Sequence, residues 1–150
     1  VSRGADINTI QYNMFKKQTK ERARLFGETM SKIRYFAEGK IAVIAVTKGD
    51  LERTGATSDM TEGFIDFPLG VDGVEVAAGN DKLMDSLGLL ETAQKKFKIS
   101  LRSKGKANVN EIAAVYGGGG HILASGCMIG GELEEAVDKL RYTIVQHLAD

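Results

Sequence analysis

The chain is poor in the residues that cross-link small proteins or hold metals. Of 150 residues, one is proline, one is cysteine, two are histidine and none is tryptophan. The lone cysteine, Cys127, permits no disulfide within the chain. That excludes a disulfide scaffold and makes a reducing, cytoplasmic setting the expectation. One cysteine and two histidines leave little material for a zinc site. Neither charge dominates, because 20 Lys and Arg stand against 20 Asp and Glu. The balance excludes a generic polybasic coat for nucleic acid or anionic membranes, so anion binding has to come from a local patch. No apolar run approaches the roughly 18 residues of a membrane span, and no charged-then-apolar leader opens the sequence. No membrane partner is expected.

Glycine is the residue in surplus: the chain has 18, against about 10 for a usual composition. The glycines have no period of three, which excludes collagen. Hydrophobic residues make up 43% of the chain, enough for one compact domain to bury a core. Seven of the 18 glycines (117, 118, 119, 120, 126, 130 and 131) fall within one short stretch, so the excess marks a place rather than general flexibility.

Apolar spacing organises the rest. Ile7, Ile10 and Met14, then Ala23, Phe26, Met30, Ile33 and Ala37, recur three and four apart and predict helix up to about Gly39. Lys40 to Val46 is a β-branched apolar run that reads as a strand covered on both faces. Thr47 with Asp50, and Asp59 with Glu62, have the spacing of capping boxes, the second helix ending near Pro68. Val74 to Ala78 reads as a strand. Leu83, Met84, Leu87, Leu89 and Leu90 predict a helix over 80–92 broken at Gly88. In Lys96 to Arg102, Phe97, Ile99 and Leu101 alternate with Lys96, Lys98, Ser100 and Arg102, as in a strand with one buried face. Asn108 caps a helix burying Val109, Ile112, Ala113 and Tyr116, with Glu111 completing the box and Gly117 as a left-handed stop. Cys127 to Ile129 reads as a strand and Glu132 to Leu148 as a helix. The expected class is α/β (mixed α+β): a mixed sheet with flanking helices, preceded by a helical linker.

Chemistry concentrates between 95 and 126. From Thr92 to Asn110 there are six bases (Lys95, Lys96, Lys98, Arg102, Lys104, Lys106) and no acid. Three of them share the polar face of one strand with Ser100, an arrangement that suits phosphate oxygens. Gly117 to Gly120 then precede His121. Four consecutive glycines are entropically costly to order. They fit a loop whose backbone amides touch a phosphate, with a helical turn starting after His121. Neither the GxxxxGK[ST] loop nor GxGxxG is present.

Three segments together carry a resemblance: SLRSKG (Ser100 to Gly105), the helix NVNEIAAVY, and GGGGHILASG (Gly117 to Gly126). They resemble the associated C-terminal domain of the DHH phosphoesterases, and within that family the nanoRNase and pAp-phosphatase branch. TEGFIDFPLGVDGVEVA (Thr61 to Ala77) resembles the segment before the family's substrate strand. Related domains occur in cyclic-dinucleotide phosphodiesterases and alanyl-tRNA synthetases, but the Ser125-Gly126 ending is more similar to the nanoRNase branch.

The resemblance implies that residues 1–38 are a helical linker from an upstream DHH domain and residues 39–150 a substrate-binding domain. It implies that catalytic metals, manganese in this family, sit in the upstream domain. This chain has no Asp-His-His, and His121 and His147 stand apart, His147 with a solvent-facing position expected. No cofactor and no catalytic residue is expected within the chain, which alone is expected to be inactive. The resemblance places substrate phosphate, from short RNA oligonucleotides or pAp, on Arg102, Ser103 and, more weakly, Lys104. It places the terminal nucleotide against Gly118, Gly119, Gly120 and His121, with Ser125 and Gly126 beside them. It also implies a short hairpin before the SLRS strand, where the leucines of 80–92 intervene here. Two other classes of function stay open: a non-catalytic module for single-stranded nucleic acid or nucleotides, and an interaction domain forming a homodimer through the 80–92 leucines.

Overall fold

The computed structural model describes residues 19–84 and 96–148. They form one six-stranded mixed sheet with helices on both faces, which is the expected class. The elements are α1 (Lys20–Ser31), β1 (Arg34–Phe36), β2 (Ile41–Ile44), α2 (Lys48–Thr54), a 3-10 turn (Ser58–Thr61), α3 (Asp66–Leu69), β3 (Val76–Met84), β4 (Lys96–Ser103), α4 (Val109–Val115), β5 (Gly119–Gly120), β6 (Ala124–Gly130) and α5 (Leu133–Leu148). The strand order is β1-β2-β3-β4-β6-β5. Only β2 and β3 run parallel; every other neighbouring pair is antiparallel.

The centre of the sheet is apolar on both sides. All four residues of β2 are buried, as its uninterrupted apolar run requires. Ile41, Val43, Val76, Ala78, Ile99 and Leu101 pack beneath α4 and α5, joined by Ile112, Val137, Leu140 and Ile144. On the opposite face, Ile44, Val46 and Ala77 meet Leu25 of α1 together with Phe64 and Ile65. Phe26 stands edge-on to Phe64 and Phe67, at ring separations of 5.1 and 5.4 Å. Leu25 is wholly buried, so α1 is part of this second core.

Several sequence expectations change. Residues 1–18 and 85–95 lie outside the described residues, and with them Ile7, Ile10, Met14, Leu87, Leu89 and Leu90. Helix α1 stops at Ser31, and Arg34–Phe36 is a strand rather than the end of a helix. Pairing of Arg34 with Val43 and Phe36 with Ile41 overrides the helical spacing. The return is made by Ala37, Glu38 and Gly39, all at positive φ, which no helix tolerates. The helix expected after Asp59 is two pieces, divided where Gly63 takes φ +86°. The box at Asp59 and Glu62 does not form; the turn's N-cap position is Thr57. Pro68 lies in the first turn of α3, where its missing N–H has no helical partner to lose. The box at Thr47 and Asp50 forms in full.

Residues 80–84 are strand, not helix: β3 runs to Met84 and pairs antiparallel with β4, from Val76↔Ser103 to Met84↔Lys96. The two strands are therefore adjacent arms joined through 85–95, with a bulge between Asn80 and Lys82.

Candidate functional site

Strand register decides which candidate side chains meet. Cα partners across an antiparallel pair share a sheet face, and successive residues alternate faces. Lys98, Ser100 and Arg102 on β4 therefore share a face with Met128, Gly126 and Ala124 on β6, and with Gly119 on β5. This is the α1–α3 face. Yet none of Ala124, Gly126 and Met128 belongs to either core cluster. Helices cover β2 and β3 on this side and leave the β4–β6–β5 half open.

The open half is a cationic shelf with a floor of small residues. Lys98 is exposed and Arg102 half-buried. Neither forms an ion pair with any described residue; the Arg102 guanidinium donates only to the Leu101 carbonyl, at 2.9 Å. Gly126, Gly119 and Ala124 add no bulk beyond one methyl group. Ser100 is buried at the inner edge of the shelf, beside Gly79, Asn80, Thr61, Phe64 and Ile65 around a small cleft with room for about one water molecule.

The glycine run is a hairpin strand, not a phosphate nest. At its start a helix stop is made as expected: Gly117 takes φ +81°, its amide bonds Ala114 O, and the Gly118 amide bonds Ala113 O. A Cβ on Gly118 would lie 2.1 Å from Gly126 O and 2.7 Å from Cys127 Cα. A Cβ on Gly120, at φ +151°, would lie 2.7 Å from Ala124 O. Glycine is thus required at both positions by the close approach of β5 to β6.

The amides are spent internally as well. His121 N bonds Ala124 O at 2.7 Å and Ala124 N bonds His121 O at 3.3 Å, closing a two-residue turn at Ile122 and Leu123. Ladder alternation then makes Gly119–Gly126 the next hydrogen-bonded pair. The Gly120 amide faces outward and donates to Asn110 Oδ1 at 2.9 Å. The helical turn expected after His121 is this hairpin turn instead, and both the Ile122 and Leu123 side chains are exposed.

The remaining candidates separate. His121 is exposed at the rim of the shelf, beside the turn. Ser103 and Ser125 are buried on the opposite face from Arg102. Ser103 Oγ accepts from the Gly105 amide at 3.0 Å, and Ser125 Oγ donates to Val109 O at 2.6 Å. Both hydroxyls serve the frame. Lys104 lies past the end of β4 and reaches the Val71 carbonyl at 3.4 Å. Its neighbour Lys106 lies 4.0 Å from Glu75. His147 is half-buried rather than solvent-facing: Nδ1 lies 2.9 Å from Thr143 O, and Nε2 4.0 Å from Glu111. Burial pushes the Cys127 thiol up to about 11, so it is a protonated core group.

Sequence reading passed over Asn110. It occupies the first turn of α4, where nothing in its spacing distinguishes it, and its partner Gly120 comes from a separate strand. Among the described residues, no group of three or more His, Cys, Asp and Glu side chains could hold a metal ion. Nor is any described helix long and apolar enough to cross a membrane.

A family model described as the DHHA1 domain matches residues 70–149, a span that includes every candidate above. No curated protein matches the chain significantly. Among solved structures, an exopolyphosphatase-related protein from Bacteroides fragilis is similar over 98% of this chain, with a TM-score of 0.77 and 28% identity. A pGpG-specific phosphodiesterase from Vibrio cholerae shares the fold over 87% of the chain, with a TM-score of 0.53 and 16% identity. The chain spans 41% and 40% of the lengths of those two proteins.

Proposed function

Because the chain belongs to the DHHA1 domain family, we propose that it is the substrate-holding part of a DHH phosphoesterase acting on short oligoribonucleotides or pAp. The open half-sheet carries this reading. Lys98 and Arg102 offer two cations free of ion pairs among the described residues, over a floor of Gly119, Ala124 and Gly126. A phosphorylated nucleotide end fits that chemistry. The Arg102 guanidinium offers planar paired donors to phosphate oxygens, and the Lys98 ammonium adds a point charge. His121 at the rim donates a hydrogen bond to the terminal phosphate. Their positive charge favours the phosphate as charge grows on it during hydrolysis.

The ester bond is broken elsewhere in this reading. A DHH domain upstream supplies the metals, manganese by the family resemblance, and two-metal activation of water is that domain's chemistry. The matched exopolyphosphatase-related structure is more than twice as long as this chain, which gives length for such a domain. A reducing cytoplasm suits both the lone buried thiol and the substrates.

The test uses the full-length enzyme and pAp. Loss of a charge-assisted hydrogen bond costs about 1.5–3 kcal/mol. Arg102→Ala and His121→Ala are therefore each expected to lower kcat/KM by about 10- to 100-fold. Unchanged kcat/KM in both variants removes this face from the site.

A further inference from the structure

The β5–β6 hairpin that carries His121 is fastened to α4 and β4 from several sides. Val109 N bonds Ile122 O and Ser103 N bonds Leu123 O, each at 2.9 Å, and together they hold the tip. Ser125 Oγ bonds Val109 O at 2.6 Å and holds the inner strand. The outer strand, next to His121 in sequence, is held at Gly120 by Asn110 Oδ1 at 2.9 Å. The outer strand is two residues long and is made only of glycine, so no side chain of its own can fix it. Gly120 also sits at φ +151°, in a region that glycine alone adopts readily and that leaves the backbone soft.

We propose that Asn110 is a positioning residue for His121: by anchoring the outward Gly120 amide it sets where the adjacent imidazole stands over the cationic shelf. The proposal rests on the functional reading of His121 given above. The chemistry fixes the orientation of the side chain. Gly120 N–H is a donor, so the atom facing it has to be the amide oxygen. Asp supplies the same acceptor and Ala supplies none. Placement matters because a misplacement of about 1 Å in a reacting constellation costs up to about 100-fold in rate.

The experiment uses the full-length enzyme with pAp as substrate, and the variants Asn110→Ala, Asn110→Asp, His121→Ala and Asn110→Ala/His121→Ala. Amide hydrogen exchange reads the anchor directly. Gly120 is expected to exchange about tenfold faster in Asn110→Ala and at the parent rate in Asn110→Asp. Kinetics read the consequence: Asn110→Ala is expected to lower kcat/KM by about tenfold or more in the parent and by nothing further in the His121→Ala background. An Asn110 that merely protects the sheet edge would lower kcat/KM equally in both backgrounds, and that result overturns the proposal. So does an unchanged kcat/KM in Asn110→Ala while His121→Ala is impaired, which leaves the functional reading standing. An unchanged His121→Ala removes His121 from the site and takes the proposal with it.

Discussion

Two adjacent glycines in the run separate fold from function. A Cβ at Gly118 would sit 2.1 Å from Gly126 O, 2.7 Å from Cys127 Cα and 2.8 Å from Cys127 Cβ. Two of those atoms are backbone of β6, which is also paired to β4 at Ile99↔Cys127 and Ser100↔Gly126. The strand therefore cannot retreat without opening a second ladder. Overpacking of this kind costs about 1–3 kcal/mol, and a backbone clash belongs at the upper end. At about 2–4 °C per kcal/mol for a chain of this size, Gly118→Ala is expected to lower Tm by about 6–12 °C. A Cβ at Gly119 meets only Asn110 Oδ1, at 3.3 Å, and a side-chain amide can give. Gly119→Ala is expected to move stability by no more than about 1 kcal/mol, since reduced backbone entropy offsets the tight contact. Its methyl group would nonetheless stand on the Arg102 face and weaken pAp binding. Urea and thermal unfolding of both variants, with pAp titration, make the comparison. Equal stability loss in the two variants refutes the register on which the shelf is built. A destabilised Gly119→Ala beside a tolerated Gly118→Ala refutes it more sharply.

Three further expectations concern the frame. Burial acts to raise the Asp50 pKa, but the Thr47 amide, Lys32 and Arg53 outweigh it and hold the carboxyl below its usual range. The stability it contributes is therefore fully present above its unfolded pKa of about 3.9 and is lost as pH falls through the lower folded value. Asp50→Asn should flatten the acid limb of a Tm-versus-pH curve, and an unaltered limb refutes the assignment. Cys127, with its pKa raised to about 11 by burial, should resist a thiol reagent at about pH 8 in the native chain and react at once in denaturant. Rapid native labelling would show that β6 opens. Asn80 Oδ1 accepts from Val46 N at 2.7 Å and its Nδ2 donates to Val46 O at 2.5 Å. Asn80→Ala strands both buried backbone groups and should cost about 2–4 kcal/mol by urea unfolding; a loss under about 1 kcal/mol would mean water replaces the amide.

The elements that were legible in the sequence are those whose own residues decide them. The apolar run of β2, the alternation of β4, the Asn108 cap and Gly117 stop of α4, and the stripe of α5 each specify a local state. Tertiary pairing was not legible. Ile33 and Ala37 continue a helical spacing, and only pairing with β2 makes the residues between them, Arg34–Phe36, a strand. Leu83 and Met84 carry a helical leucine pattern, and only β4 holds them extended. At the site, alternation along β4 correctly grouped Lys98, Ser100 and Arg102. It could not show that Ser125 pairs opposite Leu101 and so faces the other way. Asn110 left no local signal, because its partner arrives from the far side of a helix stop.

The fate of the glycine amides changes what kind of anion site the proposed function calls for. A nest binds phosphate with fixed backbone dipoles that ionic strength barely affects. Here the amides of Gly117, Gly118, Gly120 and His121 are engaged within the chain, so in the proposed function phosphate recognition would fall to side chains. Lys98 is exposed and Arg102 only half-buried, and exposed charges are screened over about 8 Å at physiological salt. Affinity for pAp should therefore weaken steadily as salt rises from about 50 mM to about 500 mM. The dependence should be shallower in Lys98→Ala and shallower again in Lys98→Ala/Arg102→Ala. Calorimetric titration across that salt series measures it. Salt-independent binding in the parent would mean that a buried or backbone donor set holds the phosphate, and the cationic shelf would no longer be the site.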